Sequence, residues 1–256
     1  MTGHEMNAIS YGLDLQSFHP PLSGDDGLAT RQKWQLPLNA PLILHVGRLD
    51  TDKHADRVIL AAAQTLRQTN AHLLIVGNGR QKKHLTQLCR DLRIEERVHF
   101  TGYVSVEQGL PELYRIATVF VTASEIETQG IVLLEAAASG LPIVAVNATC
   151  IPEIVYDGAN GYLTESGDTH AMSRSLTNIL RNPHLAACMG KVSRELAEGH
   201  PNQETFDEHE RMYQKMIRDK GTQKLPVSVR AYFHWKQIRE SPIWMLMDRF
   251  RSEKAK

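Results

Sequence analysis

Cysteine is scarce: the chain has three in 256 residues, Cys89, Cys150 and Cys188. An odd number at no metal spacing excludes a disulfide scaffold and reads as small buried residues in a reducing, cytoplasmic compartment. Neither sign of charge dominates, with 29 Lys and Arg against 29 Asp and Glu, so no overall field selects nucleic acid. No apolar run approaches the ~20 residues needed to span a bilayer, and the first residues lack the charged-then-apolar layout of a signal peptide. Histidines are scattered and no His/Asp pair has ligand spacing, so no metal site is expected; no cofactor is expected either. There is no internal repeat or low-complexity tract. The dinucleotide fingerprint is also missing: Gly77-Asn78-Gly79 lacks the third glycine and no helix begins at the right spacing. The remaining composition, 42% hydrophobic and 23% charged, is that of a globular protein, and the length suits one large or two small domains.

From Pro41 onward, apolar runs alternate with helical periodicity. Strands are expected at 42–46, 73–76, 98–100, 118–122, 142–146 and near 160–163. Helices are expected at 55–66, 81–92, 107–116, 131–138, 168–180 and from Pro183 to about Glu198. Short apolar strands separated by helices predict an α/β fold with a doubly wound parallel sheet, Rossmann-like, followed by C-terminal helices. In such sheets ligands bind beyond the carboxyl ends of the strands. The expected organisation is a connector at 1–40, a Rossmann-like domain at 41–200, a helix at 201–223 and a basic, aromatic tail at 224–256.

The chain is organised around residues 123–147, ASEIETQGIVLLEAAASGLPIVAVN. A strand enters a helix through Gly130. The first helical turn leaves backbone N–H groups unpaired, with the positive end of the helix dipole behind them, which makes an anion site. Glu127 lies in the entering loop and Glu135 about a turn and a half into the helix. Both carboxylates can therefore face a ligand whose phosphates rest on the helix start. The alternative is a surface helix with one solvated Glu and a helix-start Glu.

The run Glu127-Thr128-Gln129-Gly130-Ile131-Val132-Leu133-Leu134-Glu135-Ala136, continued by Ser139-Gly140-Leu141-Pro142, resembles the E-x7-E motif of retaining, nucleotide-sugar-dependent glycosyltransferases of the GT-B fold, group 1 or family 4 type. The resemblance extends over residues 8–217. It implies a hexosyltransferase acting with retention of configuration and without a metal, its donor a UDP-sugar or GDP-sugar. Glu135 would accept hydrogen bonds from the ribose hydroxyls, Glu127 would contact the donor sugar or its phosphates, and the backbone of Gln129, Gly130 and Ile131 would receive phosphate. His45-Val46-Gly47-Arg48 through Lys53-His54 resembles the family loop whose Arg and Lys clamp the diphosphate. That assigns Arg48 and Lys53 with Gly47 to the site, although the family has Gly where this chain has His54. Read without the family, Arg48 and Lys53 could equally balance Asp50 and Asp52 in a solvated loop. Thr101-Gly102-Tyr103-Val104 matches the segment whose backbone, here at Val104, reads the base edge.

Ile9-Ser10-Tyr11-Gly12-Leu13-Asp14 to Phe18-His19-Pro20 resembles the family segment joining the two halves of the enzyme, with Tyr11 where the family has Asn. The chain is thus expected to be the donor-binding half, with an N-terminal GT-B domain as its missing partner. Thr128-Gln129-Gly130 is similar to members that glycosylate diacylglycerol, a hint of a lipid acceptor. The tail carries Lys224, Arg230, Lys236, Arg239, Arg249, Arg251, Lys254 and Lys256 against Glu240, Asp248 and Glu253, with Tyr232, Phe233, Trp235, Trp244 and Phe250 interleaved. This suits either a peripheral membrane contact or packing against the missing half. A non-catalytic sugar-nucleotide-binding module and a Rossmann-type dinucleotide enzyme are the competing classes.

Overall fold

A computed structural model describes residues 13–199. Helix α1 (Leu28–Lys33) leads into β1 (Leu42–Val46), α2 (Ala55–Leu66), β2 (His72–Val76), α3 (Lys82–Asp91), β3 (Val98–Gly102) and α4 (Leu110–Arg115). Then follow β4 (Val119–Val121), α5 (Ile131–Ala138), β5 (Ile143–Val146), β6 (Gly161–Thr164), α6 (Thr169–Arg181) and α7 (Pro183–Ala197). The six strands form one sheet in the order β3-β2-β1-β4-β5-β6, and every adjacent pair is parallel. This is the expected doubly wound sheet.

The strands are apolar on both faces because both faces are covered. Side chains alternate between two cores. Ile43, Leu73, Ile75, Val119 and Val121 pack with Val58, Ile59 and Ala62 of α2 and Met172, Leu176 and Ile179 of α6. Leu42, Leu44, Leu74, Phe120 and Ile143 pack with Leu113 and Tyr114 of α4 and Leu133, Leu134 and Ala137 of α5. Asp168 caps α6, its carboxylate accepting from the Ala171 amide at 2.8 Å.

The bounds of β1, α2 and α5 agree with the periodicity. Helix α4 begins at Leu110 rather than Glu107, because Gln108 and Leu110 both donate to the Ser105 carbonyl and hold residues 105–109 in a turn. The segment 13–40 carries more structure than its turn residues announce. Leu13, Phe18 and Leu36 are buried in the second core. Arg31 of α1 donates to the carbonyls of Pro37, Ala40 and Ile116 at 2.6, 2.9 and 3.1 Å. The cysteines are not uniformly buried, contrary to expectation: Cys89 is, Cys150 is half-buried, and Cys188 is exposed on the outer face of α7. The expected helix at 201–223, the tail 224–256 and the segment Ile9–Gly12 lie outside the described residues.

Candidate active site

Strand order reverses between β1 and β4, and beyond their carboxyl ends lies a cavity of about 670 Å³. This is where open α/β sheets bind ligands, and the size suits a small-molecule site. All nine residues singled out from sequence border it. Gly47, Arg48 and Lys53 come from the loop after β1 and Val104 from the loop after β3. Glu127, Gln129, Gly130, Ile131 and Glu135 come from the loop after β4 and from α5.

Gly130 caps α5 with φ of 61°, in the left-handed region, and no side chain caps the helix. A Cβ there would sit 2.5 Å from Ile154 Cδ1, a side-chain tip that can shift, so it is the backbone conformation that favours glycine. Among the described residues, the amides of Gln129, Gly130, Ile131 and Val132 donate to no backbone group. They are the orphan donors that make a helix start an anion site. The loop leading there is tied from β5: the Glu127 amide donates to Thr149 Oγ1 at 3.1 Å, and Cys150 Sγ donates to the Glu127 carbonyl at 3.3 Å. Thr149 has φ of 46°, an unfavourable conformation for a β-branched residue spent on placing that hydroxyl.

The two cations of the first loop are used differently. Lys53 Nζ donates to Glu127 Oε1 at 2.7 Å and to the Ile126 carbonyl at 3.2 Å, in a pair whose side chains are 18% and 13% exposed. Arg48 is 64% exposed and forks over its own loop, to Asp50 at 2.7 Å and Asp52 at 2.9 Å. The solvated-loop alternative thus describes Arg48, while Lys53 reaches across to the glutamate motif. Asp50 also accepts from the Arg80 amide, which with Arg80 and Arg48 nearby holds its carboxyl below the usual range. His54, where the family has glycine, adopts φ of 48°. The turn survives the substitution because histidine is among the side chains that tolerate this region best.

Among the described residues no cation pairs with Glu135. Tyr114 Oη donates to its Oε2 at 2.8 Å. Burial raises this carboxyl to about 7, against the lowering effect of that hydrogen bond. Tyr114 is fully buried between Phe18, edge-on at 5.6 Å, and Phe120, stacked at 5.9 Å. Burial pushes its own hydroxyl well above the usual range, so it stays a donor. Val104 is buried beneath the cavity rim and Tyr103 beside it is 71% exposed. Gly77 holds φ of 142° and abuts the β1 loop so closely that a Cβ would lie 1.8 Å from the Gly47 carbonyl oxygen. Tyr114 and Thr149 escaped the sequence reading, and Asn78 and His45 entered it only as members of loop motifs. Only the position of Thr149 after β5 could have signalled a loop tie, and the others look like core or turn residues.

Residues 28–196 match the family described as glycosyl transferases group 1. The chain belongs to this family. It is 29% identical over 196 residues to N-acetyl-alpha-D-glucosaminyl L-malate synthase of Bacillus anthracis, covering 76% of this chain and 51% of that one. It is 33% identical to a D-inositol 3-phosphate glycosyltransferase of Frankia alni, with 70% and 45% covered. It spans about half the length, or less, of these curated relatives. Its fold matches sucrose-phosphate synthase from Thermosynechococcus elongatus, with TM-score 0.73, 26% identity and 83% and 53% of the two chains covered. It also matches Alr3699/HepE of Anabaena, solved in complex with UDP, with TM-score 0.69, 25% identity and 81% and 57% covered. The sheet of this chain is therefore a GT-B sheet. Among its described residues no helix is long and apolar enough to cross a membrane, and no three His, Cys, Asp or Glu side chains are grouped to hold a metal ion.

Proposed function

We propose that this chain is the donor-binding half of a retaining glycosyltransferase that transfers a hexose from a nucleoside diphosphate sugar. The observation that carries the reading is the convergence on one cavity of the unpaired amides at Gly130, the Lys53–Glu127 pair and the buried Glu135. The diphosphate lies on the backbone of Gln129, Gly130 and Ile131 beside Gly47, with Lys53 and Arg48 as its cations. Arg48 exchanges its aspartate partners for phosphate oxygens, which it can hold bidentately. The ribose hydroxyls donate to Glu135, whose two oxygens suit vicinal donors. The base meets the backbone of Val104, and Glu127 meets the sugar.

In the reaction the bond from the sugar's anomeric carbon to the phosphate oxygen breaks, and its electron pair goes to the diphosphate. The acceptor oxygen bonds that carbon on the face the diphosphate leaves, and the acceptor's proton passes to the departing diphosphate. Fixed donors and cations stabilise the charge as it develops. The relative solved with UDP supports a uridine nucleotide; a mycobacterial relative, 31% identical, is named GDP-mannose-dependent. The acceptor site and its remaining catalytic groups belong to an N-terminal GT-B domain that this chain partners. Thr128-Gln129-Gly130 and the basic tail favour a lipid acceptor at a membrane surface.

Calorimetric titration of the purified chain with UDP, GDP and ADP tests the reading. One nucleotide binds selectively, and Glu135→Ala abolishes that binding. Absence of binding by all three, or binding indifferent to Glu135, refutes it.

A further inference from the structure

We propose that His45 is a sugar-contacting residue of this site: its Nε2 accepts a hydrogen bond from a hydroxyl of the donor's sugar ring, and so helps set which sugar is carried. The proposal rests on the donor-site reading above and adds a residue to it.

His45 is the fourth residue of β1 and 1% exposed. Its Nδ1 lies 3.0 Å from the Val121 carbonyl of β4. A carbonyl oxygen only accepts, so Nδ1 carries the proton, and in the neutral ring Nε2 is then an acceptor. Burial lowers the ring's basicity, outweighing the hydrogen bond to Val121 and the Glu127 carboxylate that favour the charged form. Nε2 has no hydrogen-bond partner among the described residues. Buried acceptors are rarely left so, and each exception calls for an explanation. The ring is part of the cavity wall, with Nε2 itself almost closed to water. The nearby Gly47 has no side chain to cover the ring; a Cβ there would stand 3.7 Å from Nε2.

The chemistry of the lone pair narrows the partner. An ionised phosphate oxygen also accepts and cannot satisfy it, which leaves a hydroxyl. The ribose hydroxyls are the ligands of Glu135, which lies with Tyr114 on the α4–α5 side of the sheet. His45 points to the opposite face, the side of Ile43 and Val121. There the Lys53–Glu127 pair is close enough to act on it electrostatically. The hydroxyl that reaches Nε2 is therefore one on the transferred sugar.

The test is a binding cycle on the full chain. Wild type, His45→Phe and His45→Gln are titrated with UDP, UDP-glucose and UDP-glucose analogues lacking the 2-, 3-, 4- or 6-hydroxyl; the GDP-mannose series serves if GDP is the nucleotide bound. In wild type, one deoxy analogue binds about tenfold more weakly than its parent. His45→Phe weakens the parent about tenfold, no longer distinguishes it from that analogue, and changes UDP affinity by less than about twofold. His45→Gln, with an amide oxygen in place of Nε2, recovers part of the discrimination and serves alone if the Phe variant does not fold. Equal weakening of UDP and UDP-glucose, or discrimination that survives in the folded variant, overturns the contact alone. Failure of the wild type to bind any nucleotide overturns the donor-site reading and this contact with it.

Discussion

The two glutamates of one motif line the same cavity and differ in what neighbours them. Glu127 is matched by an ammonium at 2.7 Å. Glu135 is met, among the described residues, by a neutral phenol and is pushed up to about 7 by burial. A pair that looks symmetric in sequence is thus an ion pair at one position and a poorly solvated carboxyl at the other. The lesson is that Glu135 is completed by a ligand's hydroxyl donors, whereas Glu127 already has its counter-charge.

The largest test of that contrast is the pH dependence of stability. Glu135 titrates near 7 folded and near 4.5 unfolded. Between these values the native state holds the extra proton, so stability falls as pH rises from about 4.5 through 7 and is then level. The span corresponds to about 3 kcal/mol. Thermal melts of wild type and Glu135→Gln at pH 5 and 8 show the variant gaining about that much on wild type at the higher pH. Parallel melting curves would remove the contrast. Nucleotide affinity moves the other way, rising from pH 6 to 8, because the ionised carboxylate is the better acceptor for hydroxyls.

Next in size, Lys53→Met leaves Glu127 without its cation in a mostly buried setting and costs about 2 kcal/mol of stability. Nucleoside diphosphate affinity falls about thirtyfold. Equilibrium urea unfolding and calorimetry measure the two effects, and a loss confined to affinity would show that the ion pair does not brace the loop. Smallest is Arg48→Ala, which changes stability by no more than about 0.5 kcal/mol because that pair is solvent-screened. Its effect is confined to diphosphate binding, and a stability loss as large as that of Lys53→Met would erase the distinction between the two cations.

The sheet and most helix bounds were legible because short apolar strands and amphipathic helices carry their own periods. That the nine candidate residues would border one cavity was legible because they lie in or just after the loops that follow strand ends. What escaped depends on contacts between distant segments. Tyr114 reads as one more core aromatic until α4 is laid against α5. His45 reads as a polar interruption of an apolar strand, since nothing local tells which ring nitrogen is satisfied. Helix α1 was hidden because its flanking Asp25, Asp26 and Gly27 are turn residues and its support comes from Arg31 bonding to distant carbonyls. The pairing of Lys53 with Glu127 rather than Asp52 crosses 74 positions, beyond any spacing rule.

The contact of Gly77 against the Gly47 carbonyl has an engineering consequence. Backbone lies directly on backbone there, and Leu49 and Gln81 continue the join, the Leu49 amide donating to Asn78 and the Gln81 amide to Leu49 at 2.9 Å each. The loops after β1 and β2 behave as one rigid plate. A graft meant to exchange either loop for a relative's must carry both, since a transplanted half would meet its neighbour with the wrong relief.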